Sequence, residues 1–105
     1  MHIQIVQFQL KDISPEDYAR LCADLAPTFA DLPGLVSKTW LASHDSGTFG
    51  GVYVWEDRRA MEQFSKTELF QAVVTHPNLT GITSQDFAVL ETPSRITRGL
   101  TPAAV

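Results

Sequence analysis

The sequence predicts an α+β domain of the ferredoxin-like type, with a four-stranded antiparallel sheet and helices on one face of it. Three observations predict this fold. Strand and helix patterns follow one another in the order βαββαβ, proline and glycine mark the junctions, and 105 residues leave room for only one domain. Right-handed crossovers convert this order into an antiparallel four-stranded sheet.

The first strand is predicted over residues 2–10, which contain apolar side chains at alternating positions. Ile3 and Ile5 share one face, whereas Val6 and Phe8 share the other. This change of phase indicates either a β-bulge or a strand that is buried on both faces.

The first helix is predicted to begin after Ser14, whose hydroxyl can cap it, with Pro15 at the first helical position. Two acidic residues in the first turn strengthen this start. One face at the helical period is apolar and consists of Tyr18, Leu21, Cys22, Leu25 and Phe29. Pro27 is expected to kink the helix near its end.

A hairpin follows, with strands predicted over 35–43 and 50–56 on either side of a glycine-containing turn. Asp57 and Thr67 are positioned to cap two short helices. The fourth strand is predicted over 82–90. The domain is therefore expected to occupy residues 1–92, with a C-terminal arm of residues 93–105 that is rich in proline and threonine.

Composition excludes several classes of partner. The net charge is −4 and no lysine or arginine cluster occurs, so a nucleic acid partner is not expected. No apolar run approaches the roughly 18 residues that cross a bilayer, so no membrane partner is expected either. The first residues lack the basic start of a signal peptide, and we expect a cytoplasmic protein.

The third predicted strand is apolar on both faces, with Tyr53 and Trp55 on one and Val52 and Val54 on the other. Helices can cover only one of these faces, and an uncovered apolar face is a liability in a monomer. We therefore predict a homodimer in which two sheets pack face to face. The alternative is that the tail folds back over its own sheet with its bulky apolar residues, Ile96, Leu100 and Val105.

The chain also resembles a known family. The resemblance rests on Pro33-Gly34-Leu35, Lys38-x-Trp40, the run Gly50-Gly51-Val52-Tyr53-Val54-Trp55-Glu56-Asp57 and a following helix around Ala60. These residues resemble the YdhR-like monooxygenases of the dimeric α+β barrel superfamily, which is related to the antibiotic biosynthesis monooxygenases. The resemblance covers residues 3–92. It implies a ferredoxin-like subunit, a homodimer whose sheets form a barrel, and a pocket between the sheet and the helices of each subunit.

Two better understood groups of that superfamily differ from this chain. Haem-degrading members use an asparagine on the first strand, a tryptophan after the third strand and a histidine farther on. Here no asparagine precedes Asn78, Phe64 lies near the position of that tryptophan, and His76 lies about two positions beyond that of the histidine. Haem degradation is therefore not expected. Oxidases of aromatic polyketides line their pocket with Trp, Asn, Tyr and Arg; this chain offers Trp40 and Tyr53 but no matching Asn.

No metal or cofactor site is predicted. His2, His44 and His76 are far apart in sequence and no pair has the i, i+4 spacing of ligands on a helix. Gly50-Gly51 lies at the start of a strand, where glycine permits a bulge or a close backbone approach, and not at the start of a helix, where a phosphate loop would lie. Cys22 is expected to be an inert packing residue.

Aromatic residues supply the remaining candidates. His76 ends a helix and follows Val73 on one stripe, so we predict that it accepts a proton from substrate, while Tyr53 or Trp40 stabilises the oxyanion. Residues predicted to contact substrate are Tyr18, Trp55, Phe64 and Val73. Lys38 and Asp86 are expected to form ion pairs at an edge or between subunits.

These residues suit a cofactor-independent monooxygenase, an oxidoreductase that acts on a small aromatic or polycyclic substrate of the quinol or anthrone type. Two alternatives stay open from the sequence. One is a non-catalytic module that binds small molecules or takes part in a stress response, and the other is an isomerase or cyclase for similar compounds.

Overall fold

The computed structural model describes residues 1–100 and has the predicted element order. The elements are β1 (His2–Leu10), α1 (Pro15–Ala30), β2 (Leu35–Ser43), β3 (Thr48–Trp55), α2 (Arg58–Ser65), α3 (Glu68–Val74), β4 (Leu79–Ala88) and α4 (Glu91–Ile96). The strands form one antiparallel sheet in the order β2-β3-β1-β4, which confirms the ferredoxin-like βαββαβ fold.

The predicted helix caps are present. The Ser14 hydroxyl accepts a hydrogen bond from the Asp17 backbone N–H at 3.1 Å, and Pro15 lies at the start of α1. The side chains of Asp57 and Thr67 cap α2 and α3 in the same way. Helices α1, α2 and α3 therefore each begin where a short polar side chain can satisfy one of their first unpaired N–H groups.

β4 begins and ends earlier than predicted. Gly81 has φ +63°, and the pairing of β1 with β4 shifts between Gln7 and Gln9, which is the signature of a bulge. The bulge keeps β4 paired to β1 as far as Leu79. The extra residue lies in β4, and β1 itself alternates regularly, with Val6 and Phe8 on the helix-facing side and Ile3 and Ile5 on the other, so the bulge considered for the first strand is absent from it.

The tail contains a short helix that the sequence did not predict. α4 crosses the boundary that was expected between domain and arm at residue 93. An ion pair of 3.6 Å between the Met1 amino group and Glu91 joins the start of this helix to the start of β1. Residues 101–105 of the predicted arm lie outside the described residues.

The two faces of the sheet differ in what covers them. Val6, Phe8, Tyr53 and Trp55 are buried on the face that meets the helices. The opposite face is called here the outer face; its central side chains are Ile3, Ile5, Val52 and Val54, with Phe87 on the edge strand. Phe87 is 51% exposed. The described part of the chain therefore leaves apolar surface on this outer face.

Of the three tail residues in the alternative cover, Ile96 does not form it, Leu100 is half-buried, and Val105 lies outside the described residues. Ile96, one of the tail's bulky apolar residues, is 75% exposed, and Leu90 before it is 76% exposed. Neither side chain buries itself on the sheet. In the same part of the chain, every helix is too short or too polar to cross a bilayer.

Candidate functional site

An apolar cavity of about 270 Å³ lies between the helix-facing side of the sheet and helices α1 and α3. Its floor comes from β1, β2 and β3, and its walls come from the apolar stripe of α1 and from α3. Pockets of roughly 300 to 1,000 Å³ hold drug-sized ligands, so this volume suits a small one. Polar atoms in the lining are few, and they belong to side chains that can donate or accept protons.

Five of the seven residues predicted to act in the site line this cavity: Tyr18, Trp40, Tyr53, Val73 and His76. The strand register explains why Trp40 and Tyr53 meet. Trp40 pairs with Gly51 and therefore projects from the same face as Tyr53, two residues farther along β3.

Trp55 and Phe64, which were predicted to contact substrate, are buried in the core. Trp55 is 0% exposed, and its Nε1–H donates to Gln4 Oε1 at 3.1 Å. Phe64 is 2% exposed and its ring packs against those of Tyr53 and Trp55, with centroids 5.3 and 5.2 Å away. Neither residue lines the cavity. They pack beside Tyr53 at the edge of the floor, so a direct contact with substrate is not part of the site proposed below.

Lys38 lines the cavity although the sequence analysis did not predict it as a site residue. Its Nζ lies 3.4 Å from the Trp40 ring centroid, 3.5 Å from that of Phe29 and 4.6 Å from that of Tyr53. It lines the cavity on the helix-facing side of the sheet, and it forms no ion pair with a carboxylate within residues 1–100. The ion pair expected for it is therefore absent from this part of the chain. The i, i+2 spacing of Lys38 and Trp40 was the available signal, since it places both on one face.

Burial lowers the pKa of Lys38 from 10.5 to about 7. Loss of water disfavours the ammonium form, and a smaller opposing influence comes from the thiol of Cys22. The surrounding ring faces also favour a cation, by about 0.5 to 2 kcal/mol, which is less than the cost of desolvation here. Near neutral pH this amine is therefore partly neutral and able to accept a proton.

Glycine at position 51 makes room for this lysine. A Cβ atom on Gly51 would lie 2.9 Å from Lys38 Cε and 3.5 Å from Tyr53 Cε1. A larger side chain would therefore displace the lysine stem from the floor. The Gly50-Gly51 pair thus permits the close approach expected from the sequence, and it serves the cavity directly.

The two tyrosines and the thiol that line the cavity stay protonated near neutral pH. Burial raises the pKa of the Tyr53 and Tyr18 hydroxyls, and a hydrogen bond with the Cys22 side chain raises that of Tyr18 further. Burial also raises the pKa of the Cys22 thiol. Both tyrosines are therefore hydrogen-bond donors in the cavity and not bases.

His76 follows α3 and lines the cavity beside Val73. Its Nδ1 accepts a hydrogen bond from the Asn78 backbone N–H at 3.1 Å. In the neutral ring this bond assigns the proton to Nε2, because only one of the two nitrogens can accept. The neutral imidazole therefore has a donor to offer at Nε2.

Other charged groups are arranged away from this cavity. Asp86, expected to form an ion pair, accepts a hydrogen bond from His2 Nε2 at 2.6 Å within the same chain. No group of three or more His, Cys, Asp or Glu side chains among residues 1–100 is placed to hold a metal ion.

Comparison with known proteins gives a family and a fold. A family model described as "Putative mono-oxygenase ydhR" matches residues 3–100. No curated protein sequence matches the chain.

Several solved structures share the fold. The cofactor-independent oxygenase SnoaB from Streptomyces nogalater, solved as a mutant, is 22% identical with a TM-score of 0.68, and the match covers 87% of this chain and 94% of that one. The heme-degrader MhuD from Mycobacterium tuberculosis, with two hemes bound, is 18% identical with a TM-score of 0.69 over 86% of this chain and 96% of that one. A "putative antibiotic biosynthesis monooxygenase" from Deinococcus radiodurans is 16% identical with a TM-score of 0.70 over 85% and 92%.

Proposed function

Because the chain belongs to the YdhR mono-oxygenase family, we propose that it is a cofactor-independent monooxygenase of a small aromatic or polycyclic compound with a phenol, quinol or anthrone-type group. The reaction inserts one atom of O₂ into the substrate and reduces the other to water, with the substrate supplying all the electrons. Such a substrate needs only to lose a proton before its anion reacts with oxygen, so the proposed chemistry requires neither metal nor flavin.

The observation that carries the proposal is the cavity itself. An apolar space of about 270 Å³ is lined mostly by aromatic and aliphatic side chains, with a few polar side chains on the floor and on the helix side. Such a site excludes water and orients a flat apolar molecule by its ring faces, while a few donors fix its oxygen. The volume lies just below the roughly 300 to 1,000 Å³ of pockets that hold drug-sized ligands, which supports a small substrate.

The proposed oxyanion donors are the Tyr53 hydroxyl, the Trp40 indole N–H and His76. Tyr53 qualifies because burial keeps its hydroxyl protonated. His76 is assigned as a donor because its Nδ1 is occupied by the Asn78 N–H, which differs from the proton-accepting role expected from the sequence. Donors already fixed in a dry site stabilise a developing anion without reorganisation, and removal of one typically costs about 10²- to 10³-fold in rate.

The proposal is tested by oxygen uptake with a panel of anthrones and quinols. We expect uptake that depends on substrate, and His76→Ala and Trp40→Phe variants that lose at least about tenfold in turnover. His44→Ala is the matched control, since His44 is exposed in the turn between β2 and β3 and does not line the cavity.

Other outcomes would favour a different function or remove the proposed donors. Tight binding without turnover would favour the binding or stress-response module. Conversion without oxygen uptake would favour the isomerase or cyclase. Turnover that is unchanged in both variants would remove the proposed donors while leaving the reaction in place.

We further propose that the outer face is covered by a second copy of the chain. Supporting this, Ile3, Ile5, Val52 and Val54 form a continuous apolar centre flanked by the half-exposed Phe87. A twofold axis would bring two such surfaces together, which buries apolar area on both chains with one set of contacts. The sequence resemblance to the dimeric α+β barrel superfamily implies the same arrangement.

The dimer gives a direct prediction. At micromolar concentration the protein is expected to sediment with about twice the chain mass of 11.6 kDa, and Val52→Lys is expected to shift it to the monomer by placing a charge in the centre of the apolar face. Gln71→Lys on α3, which is exposed on the helix side of the sheet and outside the cavity, is the control and should leave the sedimenting mass unchanged. A wild-type protein that sediments as a single chain would contradict the dimer.

A further inference from the structure

We propose that Lys38 is a catalytic residue that accepts the proton of a phenol or enol bound in the cavity and then holds the resulting anion as its counter-ion. In this step the substrate O–H bond breaks, an N–H bond forms on Nζ, and the electron pair of the broken bond stays on the oxygen. The substrate class rests on the proposed function, whereas the proton transfer is a property of the cavity and can be measured without oxygen chemistry.

The position of Lys38 supports this role. Its Nζ lies 3.5 Å or less from the centroids of the Phe29 and Trp40 rings and lines the cavity alongside them. An aromatic substrate stacked in the same space would bring its oxygen to the one cationic group among the described lining residues whose charge is not balanced by a carboxylate. The resulting pair of ammonium and phenolate would compensate two charges that are each costly in an apolar site.

The other titratable groups that line the cavity either carry their proton already or have their acceptor atom in a hydrogen bond. Tyr18 and Tyr53 already carry their protons, and burial keeps the Cys22 thiol protonated as well. His76 has its Nδ1 engaged with a backbone N–H. The amine of Lys38 differs from the tyrosines and the thiol, because its lowered pKa of about 7 leaves much of it neutral at physiological pH.

The geometry also explains why a lysine tolerates this environment. Gly51 leaves the space that the lysine stem occupies, with Cε only 2.9 Å from where a Cβ would be. The ring faces around Nζ keep the ammonium form accessible once the proton has been accepted. The same site can therefore hold Lys38 neutral before the transfer and charged after it.

The first test uses 3-nitrophenol, whose anion absorbs visible light at wavelengths where its neutral form does not. It is titrated into the full chain without any oxidisable substrate. We expect the bound probe to ionise at least about one pH unit below the free probe, since an opposite charge within about 4 to 6 Å shifts a phenol this far. In Lys38→Met we expect the bound probe to have a higher pKa than the free probe, because the apolar cavity then disfavours the anion. Lys66→Met, an exposed lysine outside the cavity, is the control and should match the wild type.

A second variant separates a proton acceptor from a fixed counter-ion. Lys38→Arg keeps a positive charge but cannot accept a proton, since arginine is always protonated. Just above pH 7, where much of the Lys38 amine is neutral, the wild type should bind 3-nitrophenol as the anion and release little acid. The arginine variant should release close to one proton per bound probe. Calorimetry in buffers of different ionisation enthalpy measures this number.

Each outcome decides between the alternatives. A bound probe that stays neutral in the wild type, or no detectable binding, overturns the proposal. Release of one proton per probe by the wild type overturns the acceptor role. If oxygen uptake is the same in Lys38→Met and in the wild type, Lys38 is not catalytic although the monooxygenase function stands. If the probe is ionised by Lys38 but no anthrone or quinol consumes oxygen, the monooxygenase function fails and the assignment of Lys38 stands.

Discussion

Gly50→Ala is expected to lower the free energy of unfolding by about 4 kcal/mol or more, an exceptionally large effect for one methyl group. Gly50 has φ +156°, a conformation that L residues rarely adopt, and it lies in β3 between β1 and β2. A Cβ atom here would overlap the backbone carbonyl of Val6 and lie 3.0 Å from Gln7 Cα. Both neighbours are main chain in the centre of the sheet, so relief requires β1 and β3 to separate.

Urea denaturation monitored by tryptophan fluorescence measures this loss. Gly47→Ala is the matched control, because Gly47 also has a positive φ, +72°, but nothing lies within 4 Å of its hypothetical Cβ. That variant should lose only the roughly 1 to 2 kcal/mol of a strained backbone. Equal losses in the two variants would show that conformation alone, and not the approach of β1, requires glycine at position 50.

Gly50 also illustrates what the sequence could predict of the fold. A glycine pair at a strand start indicates either a bulge or a close approach, and the structure has the close approach at Gly50. Local signals such as the caps at Ser14, Asp57 and Thr67 were sufficient to place helix starts, because a cap is satisfied within four residues. The start of β4 was misplaced, since Gly81 and its bulge acquire meaning only when β4 pairs with β1.

The site was less predictable from the sequence, because it too depends on how the strands pair. Alternation within β3 joined Tyr53 to Trp55, but alternation cannot tell whether Trp40 of the next strand lies on that face; the pairing of Trp40 with Gly51 decides it. Trp55 lies beside Tyr53 with centroids 5.8 Å apart, yet it is sealed in the core by its bond to Gln4. Sequence periodicity shows which residues share one face of a strand or helix. It does not show whether that face lines a cavity or packs into a filled core.

Lys38 shows this limit most clearly. A lysine on a strand with apolar neighbours is usually an edge residue, because burial of an unpaired amine costs free energy. The structure has this lysine among three aromatic rings without a carboxylate partner in the described part of the chain. Positions that lower stability in this way are typical of functional sites, where the chemistry requires the group that the fold would otherwise exclude.

The cost of burying the Lys38 cation makes the free energy of unfolding depend on pH. The pKa of Lys38 is 10.5 when unfolded and about 7 when folded. Below pH 7 both states hold the proton and the folded state bears the full cost of burying the cation. Between pH 7 and pH 10.5 the unfolded state holds more protons than the folded state, so the free energy of unfolding rises with pH, by roughly 1.4 kcal/mol per pH unit.

Lys38→Met removes this dependence, because methionine fills a similar volume without a charge to bury. The variant is therefore expected to be more stable than the wild type at pH 7. The difference between their free energies of unfolding should narrow by roughly 3 kcal/mol between pH 7 and pH 10. Cys22, Tyr18 and Tyr53 have raised pKa values and lower the stability of both proteins toward the alkaline end, so the difference between the two urea curves is the quantity to follow. A difference that stays constant over this range would mean that Lys38 remains charged in the folded protein and reaches water, and a charged amine could not accept a substrate proton.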